Sequence, residues 1–533
     1  MQLPVRARRR DMVLFPGGLA AAATLAPLAA RTRAAAVSAP TEGGRIVLDP
    51  SDLRPLQALR ARVETFTLGN GMRFVVVPRR AAPVAAFHLV ARVGAADEAD
   101  GRTGTAHLLE HLAFKGTREL GTTDWEAEAP LLAAADAAFV AARRAAEAGD
   151  WEAHGAAMAE ASRLRDEASK YCVDNAYGLA VQAQGGVGLN AQTSQDVTRY
   201  YVSLPSSKVE LWFALESARF LEPVIGRQFY EEKAVVQQER RMTGAENNPM
   251  TKFTDAIKSA AFPPGHPYRR PVIGFEEDID ALSVADVTAF FDTHYGPANL
   301  TAAIVGDVDV DQVRAMAEAY WGRLPKRKSP PPAKVRAPPL VDAPGMRVEV
   351  QSPLPTLPVS LLAYRRPAAG HPDCIALDVA GGLLSTGRTG RFYKNLILPQ
   401  VALTADSAGA YPDDGLPTLS LFYASPATRG DEAVAPKLRR LEQSLLDQIG
   451  DLAEHAVPAD ELASVQLGTR ASTLALLESD SSLAEALCSY EAVEGGWERL
   501  LSELEEVEAL TPEAVRGVCE RTFVNPIAGT LLA

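Results

Sequence analysis

At 533 residues the chain is longer than one hydrophobic core supports, and with 47% hydrophobic and 23% charged residues it has the composition of a multidomain globular protein and not of a disordered one. A formal charge of −13 argues against nucleic acid as a partner; such carboxylates serve solubility or draw basic peptides to a cavity. The cysteines Cys172, Cys374, Cys488 and Cys519 form no CxxC pair, which excludes a zinc knuckle or redox motif and reads as isolated core thiols.

The N-terminus differs from everything after it. Arg6, Arg8, Arg9 and Arg10 precede an apolar stretch over 12–30, and Ala34-Ala35-Ala36 offers a small-residue cleavage site, so residues 1–36 read as a secretory signal. The pair Arg9-Arg10 gives this signal a twin-arginine character and points to export into a bacterial periplasm, with a mitochondrial transit peptide as the alternative because Arg31 and Arg33 continue the basic run. Elsewhere the sequence holds no apolar run long enough to span a membrane.

After a tail over 37–60, a first domain is expected over 61–324. The pattern predicts a strand over 64–68, a tight turn at Gly69-Asn70-Gly71 and a second strand over 72–77, then a third over 87–93. A glycine-rich stretch over 101–104 opens a helix over 105–114. Residues 123–171, rich in Ala, Glu and Arg, open with the capping-box pattern Thr123-Asp124-Trp125-Glu126 and break at Gly149-Asp150, which predicts a helical hairpin packed against its own chain in preference to a free antenna or partner surface. One strand is expected over 191–202, helices over 207–220, 228–242 and 283–293, a strand over 300–305 and a helix over 310–321. Prolines mixed with Lys and Arg make 325–345 a stiff, exposed linker. The second domain, 346–533, opens with strands over 346–350 and 359–364 and repeats the mixed style of the first, a hint of duplication.

The chemistry gathers in HLLEH. His107 and His111 stand one helical turn apart on one face, the spacing that lets two imidazoles ligate one tetrahedral ion, and Glu110 sits beside them. H-x-x-E-H is a metallopeptidase pattern in which the glutamate is the general base that activates water. With only 8 histidines in the chain, two at ligand spacing around a glutamate outweigh the bland reading of ordinary helical histidines. A catalytic zinc takes a third protein ligand, and EEKAVVQQERR offers Glu232 and Glu239 about two turns apart on one face.

The succession GTAHLLEH, GLNAQTSQDVTRYY, AVVQQERR, GHPYRRPVIG, AAIVGDVD resembles the insulinase and pitrilysin family of zinc peptidases, M16, over most of the chain from about Val63 on. The resemblance implies an α+β fold of two similar domains, each a mostly antiparallel sheet covered by helices, together forming half of a clamshell chamber. It implies one zinc per chain with Glu239 as third ligand, Glu232 as a supporting carboxylate of the catalytic set, and Asn190 and Ala191 on an edge strand where substrate adds as a further β-strand. The expected activity is endopeptidase cleavage of extended peptides or unfolded proteins; a non-catalytic peptide-binding or scaffolding subunit is the alternative. Two departures from the family stand out. Glu239 lies unusually far from His111, which the insert over 123–171 accounts for, and Ile397 or Leu398 and Thr404 stand where the family places an Arg and a Tyr that bind the substrate carbonyl. A dimer follows from the half-chamber, and the missing pair favours a heterodimer over a homodimer.

Overall fold

The computed structural model describes residues 41–42, 45–46, 54–244, 247–326, 337–427 and 433–532; the leader expected at 1–36, most of the tail and the proline-rich centre of the linker lie outside them. Six strands build a first sheet: β1 (Glu64–Thr67), β2 (Arg73–Pro78), β3 (Val84–Ala91), β4 (Val187–Thr193), β5 (Thr198–Pro205) and β6 (Leu300–Gly306), in the order β1-β2-β6-β3-β5-β4. A second sheet takes β7 (Arg347–Gln351), β8 (Val359–Arg366), β9 (Ala402–Tyr411), β10 (Thr418–Pro426) and β11 (Ile527–Leu532), in the order β9-β10-β8-β11-β7. Read from its other end, this is the path β2-β6-β3-β5-β4 over again. The parallel pair falls at the same place in each, β2 with β6 and β7 with β11, in sheets that are otherwise antiparallel. Duplication, only hinted at by composition, is thus visible in the topology.

The strands show why. Phe74 and Val76 of β2 point into one apolar layer and Val75 and Val77 into another, so this strand and β6, buried along its whole length, read as continuous hydrophobic runs because both faces are covered. Nearer the edge, β5 alternates buried and half-buried residues.

The helices used below are α1 (Thr105–Leu112), α2 (Trp125–Glu147), α3 (Trp151–Ala168), α4 (Val209–Leu221), α5 (Phe229–Thr243), α6 (Pro249–Ala261), α7 (Val434–Glu454) and α8 (Asp480–Val493). One face of the first sheet is covered by α1 and α4 through Leu108, Leu109, Trp212 and Phe213, and one face of the second by α7 through Leu441, Leu445 and Ile449. The opposite faces are covered by exchange. Phe253 and Ile257 of α6, a helix of the first half, pack on Leu361 and Leu531 of the second sheet, while Leu483, Leu487 and Cys488 of α8 pack on Val75, Val77, Ala303 and Val305 of the first. The two helices occupy matching places in the chain, between β5 and β6 and between β10 and β11.

Two sequence expectations need correction, and one helix that positions the second sheet was missed. The strand expected over 191–202 is a hairpin: Ser194 N–H donates to the Val197 carbonyl at 2.8 Å and Ser194 Oγ accepts from Val197 N–H at 3.2 Å, closing a turn between β4 and β5. The insert is a helical hairpin packed on its own chain, but its first cap is Asp124, which accepts from Ala127 N–H at 3.1 Å, and not the Thr123 box. Helix α6 was not anticipated, although Asn248 caps it and Pro249 fills its first turn. The four cysteines are free among the described residues, and no described helix is long and apolar enough to cross a membrane.

Where the β4–β5 turn meets the β9–β10 turn, carboxylates crowd. Asp196 N–H donates to Asp413 Oδ2 at 3.2 Å, Asp196 Oδ2 accepts from Gly415 N–H at 2.9 Å and from Tyr268 Oη, and oxygens of Asp196, Asp413 and Asp414 lie within 4.8 Å of one another. Burial, reinforced by the Asp413 charge, pushes the Asp196 carboxyl up to about 7; burial likewise pushes Asp414 up to about 6.

Candidate metal centre

Helix α1 begins where two backbones touch. Gly104 has φ 85°, and a Cβ there would stand 2.8 Å from the Ile273 carbonyl; on the facing Gly274 it would stand 2.6 Å from Gly104 Cα. Buried Glu98 then caps the helix, its two oxygens accepting from Gly104 N–H at 3.0 Å and Ala106 N–H at 2.8 Å. With Leu108, Leu109 and Leu112 committed to the core, His107, Glu110 and His111 are turned toward α5 and β4.

The imidazoles of His107 and His111 are 4.8 Å apart, nearly edge to face at 75°. Glu239 Oε2 lies 3.8 Å from His107 Nε2 and 3.7 Å from His111 Nε2. Three donors with bonds of ~2.1 Å to a tetrahedral ion stand ~3.4 Å apart; both histidine–glutamate separations are within a few tenths of an ångström of that, and the three ligand atoms all lie within 4.8 Å of one another. The chemistry of the donors agrees. Burial, then the neighbouring His111, lowers the His107 pKa to about 3 and keeps that imidazole neutral, the form that ligates. His111 Nδ1 is 3.2 Å from Glu232 Oε2; with its proton placed there, toward the carboxylate, the Nε2 lone pair faces Glu239. Burial pulls the His111 pKa down, but the bond to Glu232 and the charges of Glu110, Glu232 and Glu239 outweigh it and raise the pKa.

Of the two glutamates left open by spacing, Glu239 therefore joins the histidines and Glu232 stands behind His111, its other oxygen 2.5 Å from Lys115 Nζ. Burial raises the Glu232 carboxyl, yet the bonds from His111 and Lys115 prevail and lower it. Glu110 is buried beside the triad and its Oε2 accepts from Thr193 Oγ1 at 2.6 Å, which binds the motif helix to strand β4. Burial raises the Glu110 pKa against the opposing Thr193 bond.

Strand β4 is the edge of the first sheet, so the strand that holds Glu110 also presents one side of its backbone outward. Asn190 is exposed and pairs with Tyr201, and Ala191 is buried opposite Tyr200. Leu398 is 65% exposed and its hydrocarbon side chain has no donor to offer a carbonyl, and Thr404 lies on β9, the edge strand of the second sheet. Thr193, Lys115 and Glu98 escaped the sequence reading. Thr193 follows Ala191 by two, so the period of two in a strand puts it on the face of that residue and toward α1, a signal that was available.

A two-sheet α+β molecule with an HxxEH helix set against a helix that brings a further glutamate to the two histidines has the architecture of a metallopeptidase. Residues 73–143 match the family described as insulinase (peptidase family M16), and residues 281–468 match the peptidase M16 inactive domain. The zinc protease PqqE of Helicobacter pylori is 25% identical over 452 residues, 81% of this chain and 84% of that protein. The crystal structure of a protease from Helicobacter pylori superimposes with a TM-score of 0.70 at 22% identity, covering 88% of this chain and 99% of that one. The periplasmic protease PqqL from Escherichia coli gives 0.63 at 16% identity, with 88% of this chain lying on 47% of the other. The chain belongs to the M16 peptidase family.

Proposed function

We propose that this chain is a zinc endopeptidase for extended or unfolded peptides, with His107, His111 and Glu239 as ligands of one Zn2+ and Glu110 as general base. The observation that carries the reading is the placement of Glu110 between the donor triad and the edge strand: a buried carboxylate next to three convergent ligand atoms, tied through Thr193 to the strand on which a substrate would lie. A zinc ion held there supplies Lewis-acid polarisation of a peptide carbonyl and acidifies water near pH 7.

The chain's own groups do the rest. Glu110, its Oε2 held by Thr193, takes the proton of the attacking water on its other oxygen and returns it to the leaving amine. A carboxyl whose pKa is raised by burial is the stronger base for the first transfer. Glu232 holds the His111 ring in its tautomer, and Asn190 and Ala191 on β4 offer main-chain bonds to an extended peptide, which read shape more than side-chain identity.

The chain works as one half of a dimer. It aligns with about half of PqqL, and the partner supplies the carbonyl-binding pair that Leu398 and Thr404 lack. The division into domains at 61–324 and 346–533, and export by a leader at 1–36 to the periplasm, belong to the same proposal; the periplasmic location stated for PqqL supports the latter. A non-catalytic, peptide-binding subunit is the second reading, favoured by the match of 281–468 to a domain described as inactive. Metal content together with cleavage of an unfolded peptide separates the two: one zinc per chain and turnover abolished by Glu110→Gln supports the enzyme, and turnover unaffected by that substitution refutes it.

A further inference from the structure

The donors come from two helices, α1 and α5, so the metal geometry depends on what holds these helices at a fixed offset. Behind the site stands Arg227, just ahead of α5, with its side chain 1% exposed. Its Nε and Nη2 donate to Glu128 Oε1 and Oε2 at 2.7 and 2.9 Å. Its Nη1 donates to the carbonyls of Lys115, Thr117 and Leu120 at 3.0, 2.8 and 3.0 Å. The loop that continues α1 is thus wrapped around one guanidinium. Gly116 and Gly121 make the wrap, at φ 91° and 92°; a Cβ on them would stand 3.1 and 3.0 Å from Nη1. The first residue of this ring, Lys115, is also the one whose ammonium holds Glu232 behind His111.

Glu128, the counter-ion of Arg227, belongs to α2, the first helix of the hairpin over 123–171, for which the proposed reaction has no use. We infer that this hairpin is a working part of the metal centre: Glu128 seats Arg227 in the carbonyl ring of 115–120, and the seated guanidinium sets α5 against α1 and so sets the reach of Glu239 to the two histidines. This inference rests on the reading of His107, His111 and Glu239 as zinc ligands. Glu128 and Arg227 are positioning residues. A guanidinium forced to share three carbonyls without its carboxylate is a buried, uncompensated charge, and the loop relaxes to let solvent reach it.

The test uses the full chain, with zinc affinity measured by competition against a chelating dye and ligand geometry read from the visible absorption of the Co2+-loaded protein. The parental protein must bind one zinc; if it binds none, the reading of the site fails and not the strut alone. In Glu128→Gln, zinc affinity is expected to fall about 10- to 100-fold, the size of effect typical of groups that orient ligands, with an altered Co2+ spectrum. The pair Glu128→Leu with Arg227→Met replaces both charges by apolar groups, a change that buried ion pairs commonly tolerate, and so answers the question if the single variant does not fold. It should show the same loss, while Arg163→Ala, at an exposed pair on the same hairpin, should bind like the parent. Folded Glu128 variants with parental zinc affinity and a parental Co2+ spectrum overturn the proposal, because a merely structural role would change the melting temperature and leave both unmoved.

Discussion

Replacing Asp196 by Asn should make the protein more stable in alkaline solution and leave it nearly unchanged in acid. The carboxyl sits where the hairpin turns of the two sheets meet, within reach of Asp413 and Asp414 and of the Tyr268 hydroxyl. Its folded pKa is raised from 3.8 to about 7, first by burial and then by Asp413. A raised acid pKa means that the folded state holds the proton more tightly than the unfolded chain, so this contribution to stability is full below 3.8 and is lost as pH climbs through about 7. Each pH unit of that gap is worth about 1.4 kcal/mol, which sets a ceiling of about 4 kcal/mol by pH 8. Relaxation of the two turns around a charged Asp196 brings the expectation for a single substitution to about 2–4 kcal/mol. An asparagine keeps an oxygen for Tyr268 and Gly415 and carries no charge, so it holds the neutral state at every pH. Urea midpoints at pH 4.5 and pH 8 measure the effect. A parental midpoint flat across that range, or a variant equally destabilised at both ends, would refute the argument.

Glu239→Gln should lower zinc occupancy as well as activity, whereas Glu232→Gln should retain more metal and lose turnover through a misoriented His111; full zinc retention in Glu239→Gln would move the third ligand elsewhere. Leu487→Ala, at a fully buried position of the exchanged helix α8, should cost about 3–5 kcal/mol of unfolding free energy without changing zinc stoichiometry, as denaturant titration and metal analysis will report. Adding a related chain that carries the carbonyl-binding Arg and Tyr should raise turnover of an unfolded peptide well above that of the purified chain; full activity alone, with no gain on mixing, would count against the heterodimer.

Much of the site could be read from spacing, because helical geometry alone brings His107, Glu110 and His111 to one face. Spacing could not choose between Glu232 and Glu239, since both share a face of α5; the choice depends on which end of that helix approaches the Nε2 atoms, a tertiary fact. The resemblance made the choice that the distances support. The turn at Ser194 was hidden by β-branched and aromatic residues on both sides, which read as one strand although Ser-Gln-Asp is turn chemistry. Nothing local announced the acid cluster, whose members come from two turns far apart in the chain. The helix exchange was equally silent: a hydrophobic face says that a helix is buried and not on which sheet it lies.

That exchange has a consequence for synthesis. The face of the first sheet formed by Val75, Val77, Ala303 and Val305 shares its layer with Leu56 and Leu59 but receives the larger part of its cover only when residues 480–493 have been made. During translation the half that carries HLLEH therefore waits, with an apolar sheet face largely open, for nearly the whole of the second half to emerge, and a chaperone has a defined surface to hold in that interval. For the same reason, a protease cut in the linker after translation should leave two fragments that remain together, each clasping the other by one helix.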